Sequence, residues 1–211
     1  MKLLVALWAL FPLAFAASSN VPEIESGYEY VTCGSTIKLT SQSTNYKLHS
    51  HGVSYGTGSQ QQSVTGFSEK DDSNSFWIVQ AGFGKHCKRG AIIPCGSTIR
   101  LRHANTKGYL HSHHHKSPLS SQQEVSCFDG QDTGDDWKVD CVQRSKHWRR
   151  EEPVQLKHVD SHNYLSCSTS HQYGQPIPGQ LEVAAARSAS KNTQWVTQEG
   201  IYFAAIDAPA K

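Results

Sequence analysis

Two stretches of this sequence recur almost unchanged 62 residues further along the chain. Residues 33–39 (Cys-Gly-Ser-Thr-Ile-Lys-Leu) return as residues 95–101, with arginine in place of the lysine. The four residues Leu-His-Ser-His at 48–51 return at 110–113. Two motifs that keep their order and separation indicate a duplicated structural unit, and such a unit is too small to bury its apolar face alone.

A third, weaker copy of the same unit follows the first two. Residues 154–157 (Val-Gln-Leu-Lys) take the place of the first motif, and residues 164–166 (Tyr-Leu-Ser) resemble residues 109–111 at a separation of 55. All three copies close on a tryptophan, at Trp77, Trp137 and Trp195. Three copies with a period near 60 residues predict one fold built from three similar units.

The local pattern throughout is that of short strands and turns. Residues 36–40, 98–102 and 154–158 alternate apolar and polar side chains, which is the period of a half-buried strand. Turn formers stand between them, and about four strands per copy give roughly twelve strands. We therefore expect an all-β fold, a β-trefoil, in which a pseudo-threefold barrel with a hairpin cap leaves no sheet edge exposed. A propeller needs about four blades or more, and a two-sheet sandwich remains an alternative.

The N-terminal segment has the composition of a secretory signal peptide. Lys2 precedes an apolar run over residues 3–15, and the small-x-small pattern ending at Ala16 predicts cleavage after Ala16 or Ala17. The run is shorter than the roughly 20 apolar residues that a spanning helix needs, so we expect no membrane insertion. A formal charge of +2 with mixed signs offers no broad basic surface for nucleic acid or membrane.

The six cysteines, an even number without a Cys-x-x-Cys motif, favour disulfides over a metal cluster or a redox site. Each of the first two copies has one cysteine at the start of its first strand and one shortly after its closing tryptophan. A bond between them would tie the start of the unit to its end. This predicts the pairs Cys33–Cys87 and Cys95–Cys141. Cys127 and Cys167 are left as a third pair or as two thiols.

Several further motifs resemble those of a known family, and they lie at residues 60–66, 71–77, 117–120, 123–126 and 135–137. Together with the two Leu-His-Ser-His segments, they are similar in order and spacing to the MIR repeats of the stromal cell-derived factor 2 family, over residues 30–206. The resemblance implies a β-trefoil, no catalysis and no cofactor. It also implies a cysteine framework that matches the two predicted disulfides, so that Cys127 and Cys167 are additions in this chain.

The same resemblance implies a non-enzymatic adaptor in folding quality control of the endoplasmic reticulum lumen. Such an adaptor would bind a lumenal J-domain co-chaperone with its Hsp70, and misfolded or unfolded polypeptides. Relatives commonly end in a retention signal of the Lys-Asp-Glu-Leu type, whereas this chain ends in Asp-Ala-Pro-Ala-Lys, so a partner retains the protein or it is secreted. The implied organisation is a signal peptide (1–17), a lead-in (18–29), MIR repeats (30–84, 92–143 and 149–205) and a tail (206–211).

Histidines are the strongest candidates for a chemical role. They crowd what we expect to be one loop of the second copy, and the first copy repeats part of the pattern; the residues are His111, His113, His114, His115, His49 and His51. Neutral imidazoles could bind zinc or copper, or act as a pH sensor. Adjacent residues of a strand point to opposite faces, and the neighbouring sequence has no acidic residue or cysteine at ligand spacing. We therefore expect a solvated or ligand-facing loop and no metal site.

Two pairs of neighbouring aspartates raise the question of glycoside hydrolysis, which uses two carboxylates. Asp71 and Asp72 precede one closing tryptophan, and Asp135 and Asp136 precede another. A catalytic pair need not be duplicated, so we expect a repeated turn whose aspartates accept backbone N–H groups. The sequence also lacks the Gly-x-Ser-x-Gly and His-Glu-x-x-His motifs of hydrolases. These observations favour binding over catalysis.

A lectin-like trefoil that binds carbohydrate is the alternative function, by analogy of fold. An aromatic ring would stack on the sugar while polar side chains bond its hydroxyl groups. The candidates are Tyr55, Tyr109 and Tyr173 for stacking, and Gln61, Asp72 and Asn74 for hydroxyl groups. For an adaptor, the histidine loop and Trp148 in the charged segment 146–152 are the candidate partner contacts. For Trp148 itself, the sequence favours packing onto the barrel over a partner contact.

Overall fold

A computed structural model describes residues 23–206 of the protein. The predicted signal peptide at 1–17 and the chain end at 207–211 lie outside the described residues. Twelve strands and three short 3₁₀ turns follow one another in the order that three similar units require. The described part of the chain contains no helix with the length and apolar character that a membrane crossing requires.

The strands of the first unit are β1 (Thr36–Ser41), β2 (Lys47–Ser54), β3 (Gln62–Phe67) and β4 (Trp77–Ala81). Those of the second are β5 (Thr98–His103), β6 (Tyr109–Lys116), β7 (Gln123–Phe128) and β8 (Trp137–Cys141). Those of the third are β9 (Val154–His158), β10 (Tyr164–Gln172), β11 (Leu181–Ala186) and β12 (Trp195–Ile201). The 3₁₀ turns lie at Ser73–Ser75, Thr133–Asp135 and Lys191–Thr193.

The first and fourth strands of the three units form a closed barrel. Antiparallel pairing runs from β1 to β4, β5, β8, β9 and β12, and β12 then pairs with β1. The alternation in the sequence explains this placement, because Val154, Leu156 and His158 of β9 are buried while the residues between them are half-buried. A ring of paired strands leaves no open sheet edge for association with other chains.

The second and third strands of each unit form hairpins that cover one end of the barrel. The hairpins are β2–β3, β6–β7 and β10–β11. Strands β3, β7 and β11 also pair with one another, which closes the three hairpins into a triangular cap. A closed barrel with a threefold hairpin cap is the β-trefoil, so the predicted fold class is confirmed.

The three closing tryptophans fasten the barrel to the cap. Each indole Nε1–H donates a 2.9 Å hydrogen bond to a leucine carbonyl in the second strand of its own unit. The pairs are Trp77 with Leu48, Trp137 with Leu110, and Trp195 with Leu165. All six side chains are fully buried. The predicted core position of the three tryptophans is confirmed, and each unit contains the same hydrogen bond.

The segments that precede β1, β5 and β9, here called the linkers, close the opposite end of the barrel. Val31, Ile93 and Trp148 occupy equivalent positions in the three linkers, and their backbones form a cyclic triangle. Val31 N donates to Trp148 O (2.9 Å), Trp148 N to Ile93 O (2.9 Å), and Ile93 N to Val31 O (3.1 Å). The side chain of Trp148 is fully buried. Its prediction as a partner contact is therefore wrong, because the residue is part of the plug that fills this end of the barrel.

The structure contains the two predicted disulfides and leaves two thiols free. Cys33–Cys87 and Cys95–Cys141 have Cα separations of 6.1 and 5.7 Å, within the usual range for disulfides. Cys127 and Cys167 are both buried thiols, so the third pair is not formed. They face different turns, since Cys127 Sγ lies 3.8 Å from Thr106 Oγ1 and Cys167 Sγ lies 3.8 Å from Thr44 Oγ1. Burial raises the pKa of the Cys127 thiol to about 11 and that of Cys167 to about 12.

Replacing one of the closing tryptophans tests their role as fasteners. In Trp137→Phe, the buried carbonyl of Leu110 loses its donor and a small cavity remains. We expect urea denaturation to show that the free energy of unfolding falls by about 2–4 kcal/mol. The matched control is Leu119→Ala at an exposed position, which should change it by less than about 0.5 kcal/mol. A similar small change for both variants would contradict the proposed role.

The cysteine assignment predicts the number and the reactivity of free thiols. A thiol-specific chromogenic reagent should react slowly with the folded protein, because Cys127 and Cys167 are buried and their raised pKa values disfavour the thiolate. Unfolding in guanidinium without reductant should release two thiols per chain, and Cys127→Ser should leave one. A count of zero would indicate that Cys127 and Cys167 form a disulfide, and a count above two would contradict the native pairs.

Candidate functional site

The three 3₁₀ turns place a set of polar side chains beside the hairpin cap. Asp72, Asp132 and Ser190 occupy equivalent positions before the turns, and the side chain of each accepts the backbone N–H two residues later. In the second and third units, the third residue of the turn reaches back to bond the N–H of the capping residue. These reciprocal bonds satisfy backbone donors that the short turns would otherwise leave unpaired.

One aspartate of each pair, Asp72 or Asp135, accepts a backbone N–H of these turns, as expected, but the two pairs are not equivalent. Asp72 precedes its turn, whereas Asp135 is the last residue of the next turn and is fully buried. The counterpart of Asp72 is Asp132. The side chain of Asp136 accepts the N–H of Phe83 at 2.7 Å, and burial raises the pKa of Asp136. The sequence already contains this difference, because the two pairs precede Trp77 and Trp137 at different distances.

A histidine of the second strand closes each of the first two turns. His49 Nδ1 lies 2.6 Å from Asp72 Oδ2, and His111 Nδ1 lies 3.0 Å from Asp135 Oδ1. Burial alone would raise the pKa of Asp72. The hydrogen bonds from Ser75, His49 and the backbone together outweigh burial, so the pKa lies below its ordinary value. The pKa of His49 is lowered, chiefly by burial. Both histidine–aspartate pairs thus hold the hairpin to the adjoining turn.

The predicted histidine loop of the second unit is in fact part of strand β6 (Tyr109–Lys116). The rings of His111 and His113 lie 5.1 Å apart, and those of His113 and His115 lie 4.7 Å apart. His111 is buried, His113 is half-buried, and His114 and His115 are exposed. His113 Nε2 lies 2.9 Å from Oε1 of Glu124, whose side chain is fully buried in β7. The fold therefore supplies the neighbouring carboxylate that the local sequence lacks.

The first unit has a similar histidine pair with different partners. The rings of His49 and His51 are 5.1 Å apart. His51 Nε2 lies 3.2 Å from Gln180 Oε1, and its Nδ1 accepts the N–H of Val53 at 3.1 Å. Burial lowers the pKa of His51. Both ring nitrogens of His51 are thus used within the protein.

The proposed sugar-binding residues do not form a common site. Tyr55 is buried, and its hydroxyl lies 2.9 Å from Val125 O, between the hairpins of the cap. Tyr109 is buried as well, and Tyr173 is half-buried beside Tyr55. Burial raises the pKa of both Tyr55 and Tyr173. The prediction that Tyr55 stacks on a sugar is wrong, because the residue that begins this hairpin loop turns into the cap.

The remaining predicted polar contacts are also engaged within the protein. Asn74 Oδ1 accepts a 2.7 Å hydrogen bond from Asn105, and Gln61 Oε1 accepts one from the hydroxyl of Ser126. These bonds join neighbouring units. Gln61 and Asn74 therefore help to assemble the trefoil, and their role in ligand binding stays a prediction.

Sequence reasoning missed two buried histidines that link successive units. His103 and His158 end β5 and β9, and each Nε2–H donates to a backbone carbonyl of the preceding turn, at 2.8 and 3.0 Å. Their rings lie against Trp77 and Trp137, at centroid distances of 4.9 and 5.0 Å. Burial lowers the pKa of both. Both histidines are the last residue of the first strand of their unit. This equivalent position was the sequence signal that could have identified them.

Comparison with known proteins gives a consistent result along most of the chain. The family model for the MIR domain matches residues 38–153. A stromal cell-derived factor 2-like protein of Dictyostelium discoideum is 45% identical over 207 residues, which cover 95% of this chain and 96% of that protein. Stromal cell-derived factor 2 of Homo sapiens is 48% identical over 176 residues, which cover 82% of each chain. The crystal structure of a protein of the same type from Arabidopsis thaliana is 42% identical, has a TM-score of 0.82, and is aligned over 84% of this chain and 99% of that chain.

The buried histidines predict that the protein loses stability in mild acid. The pKa of His103 and of His158 lies below the ordinary histidine value of 6.5, so the unfolded chain binds more protons than the folded one as the pH falls through 6.5. The lowered pKa of Asp72 acts in the same direction at lower pH. We expect the melting temperature to fall between about pH 7.5 and about pH 5.5.

The matched variants for this pH dependence are His103→Gln and His158→Gln, each of which removes one titrating group. Both should melt at a lower temperature at neutral pH, and their melting temperatures should change less with pH than that of the parent protein. A pH-independent melting temperature of the parent over this range, or one that rises in acid, would contradict the assignment of buried neutral imidazoles.

Proposed function

Because the chain belongs to the stromal cell-derived factor 2 family of MIR-domain proteins, we propose that it is a non-enzymatic adaptor in protein folding quality control. In this proposal it acts in the lumen of the endoplasmic reticulum. It binds a J-domain co-chaperone, through it the lumenal Hsp70, and unfolded or misfolded polypeptides.

One observation carries the choice of binding over catalysis. The groups of catalytic type are held in hydrogen bonds that assemble the fold. His49 bonds to Asp72, His111 bonds to Asp135, and the buried Glu124 bonds to His113 and to the hydroxyl of Ser59. A general acid or base must lie within hydrogen-bond reach of its substrate, whereas His49, His111 and Glu124 are buried. Their bonds connect a hairpin to a turn or loop of its own or a neighbouring unit.

The disulfides support a lumenal location. Two cross-links that persist in the folded protein require an oxidising compartment, which the secretory pathway provides. In this proposal, binding to a retained co-chaperone keeps the adaptor in the lumen.

We place the partner contact at the linker end of the barrel. Phe83 and Val142 follow the fourth strands of the first two units, and their side chains are 43% and 44% exposed. Ile201 ends the fourth strand of the third unit and is 66% exposed. In this proposal a partner covers these exposed apolar side chains at the corresponding ends of the three strands. The rigid barrel would hold these side chains in fixed positions before binding, which limits the entropy lost on association.

Affinity capture from the secretory pathway under mild crosslinking, followed by mass spectrometry, tests the proposal. We expect the tagged protein to recover a lumenal J-domain protein and Hsp70. A double variant, Phe83→Glu with Val142→Glu, should reduce the recovered J-domain protein about tenfold, equivalent to about 1.4 kcal/mol. The control is Val53→Glu with Leu119→Glu, at exposed apolar positions of the hairpin cap, which should leave recovery unchanged.

Two outcomes of this capture would contradict the proposal. Recovery of glycoproteins alone, released by free sugar, would establish the lectin function in its place. Equal recovery of the J-domain protein by both double variants would retain the adaptor function but refute the contact surface at the linker end.

A further inference from the structure

Strand β6 presents three imidazole rings in a row. His111, His113 and His115 are two residues apart in β6. The pairing of β6 with β7 shifts register between Ser112 and Lys116, so the row is defined by the contacts between the rings. Neighbouring ring centroids lie 5.1 and 4.7 Å apart. The row begins in the buried interior at His111 and ends in solvent at His115. Solutes can therefore reach its outer part while its inner part is held by the fold.

Buried carboxylates fix the orientation of the two inner rings. The Asp135 carboxylate holds Nδ1 of His111, and the Glu124 carboxylate holds Nε2 of His113 at 2.9 Å. Both carboxylates have a side-chain exposure of 0%. A carboxylate that accepts one ring N–H of a neutral histidine sets the tautomer and leaves a lone pair on the other nitrogen. For His113 that nitrogen is Nδ1.

The first unit shows that this arrangement is not a general feature of the repeat. His51, the counterpart of His113, uses Nε2 with Gln180 and Nδ1 with the backbone N–H of Val53. The position of His115 is occupied there by Val53. Of these two units, only the second has an oriented imidazole, His113, whose Nδ1 is available to a ligand. The ring of His115 lies 4.7 Å from it.

We propose that His113 and His115 form a binding site for a divalent transition-metal ion, Zn²⁺ or Cu²⁺, with Glu124 as the positioning residue behind His113. Histidine nitrogens bind zinc at about 2.0–2.1 Å, so two tetrahedral ligands lie roughly 3.3 Å apart. Rings with a 4.7 Å centroid separation reach this distance by rotation of the exposed His115. Water completes the coordination shell in this proposal.

The surroundings of the site suit a cation. A cleft of about 260 Å³ lies beside the inner part of the row. It is lined by His111, His113, His114, Asp132 and Asp160 among others, and His115 lies outside this lining. Asp132 and Asp160 are exposed carboxylates, so they attract a divalent ion without the desolvation cost of a buried charge. Imidazole ligands favour copper and zinc over magnesium or calcium, which prefer oxygen ligands.

Calorimetric titration of the untagged mature protein with ZnCl₂ and CuCl₂ near neutral pH tests the site. We expect one ion per chain. His113→Gln and His115→Val should each weaken the affinity at least about tenfold, because each removes one of two protein ligands. His115→Val also restores the residue found in the first unit. The matched control is His86→Gln, an exposed histidine outside strand β6, which should leave the affinity within about twofold of the parent.

The variant Glu124→Gln separates an oriented metal site from a loose cluster of surface histidines. It preserves the size of the side chain but removes its charge, and we expect about 10- to 100-fold weaker metal binding. Circular dichroism and the melting temperature without metal check that the variant is folded; if it is not, His115→Val decides the question.

Several outcomes would overturn the metal site. The proposal fails if neither ion binds with a dissociation constant below about 1 mM, a free energy of only about 4 kcal/mol. It also fails if several ions bind, if His86→Gln weakens binding as much as His115→Val, or if folded Glu124→Gln binds as the parent does. The last three results would identify nonspecific binding by exposed imidazoles.

Discussion

Each unit of the trefoil contains a hydrogen bond from a buried tryptophan to a leucine carbonyl, and both layers of the structure depend on it. The tryptophan begins the fourth strand, which belongs to the barrel, while the leucine lies in the second strand, which belongs to the hairpin cap. The 2.9 Å bond therefore fixes how the cap sits on the barrel. At the other end, the backbone triangle of Val31, Ile93 and Trp148 joins the three linkers. The units are thus fastened at both ends.

This fastening also determines what the polar groups can do. Because the turns lie directly before the tryptophans, their capping aspartates and the adjoining histidines are committed to holding hairpin and turn together. His49 with Asp72 and His111 with Asp135 are the clearest cases. Burial of His49, His111 and Asp135 also keeps these groups away from a substrate at the surface. Binding through the outer surface leaves them in place, which is why the adaptor proposal agrees with the interior of the molecule.

The repeat pattern was sufficient to predict the trefoil, the two disulfides and the buried tryptophans, because each follows from equivalence between copies. The burial of Trp148 could not be predicted from the repeat. Its counterparts Val31 and Ile93 have different side chains, and the three residues share only their backbone hydrogen bonds. Tyr55 was misplaced because loop composition does not reveal which side chain turns into the cap. The contact of His113 with Glu124 depends on the pairing of β6 with β7, and the local sequence around the histidines does not contain it.

Hydrogen exchange of the indole N–H groups, followed by NMR, tests most directly whether the three units form one interlocked structure. The account predicts that the indole protons of Trp77, Trp137 and Trp195 exchange only through global unfolding, with opening free energies that agree within about 1 kcal/mol of one another and of the value from denaturation. If one of these protons exchanged through a much less costly local opening, that unit would unfold by itself, and the claim of a common fastening would be contradicted.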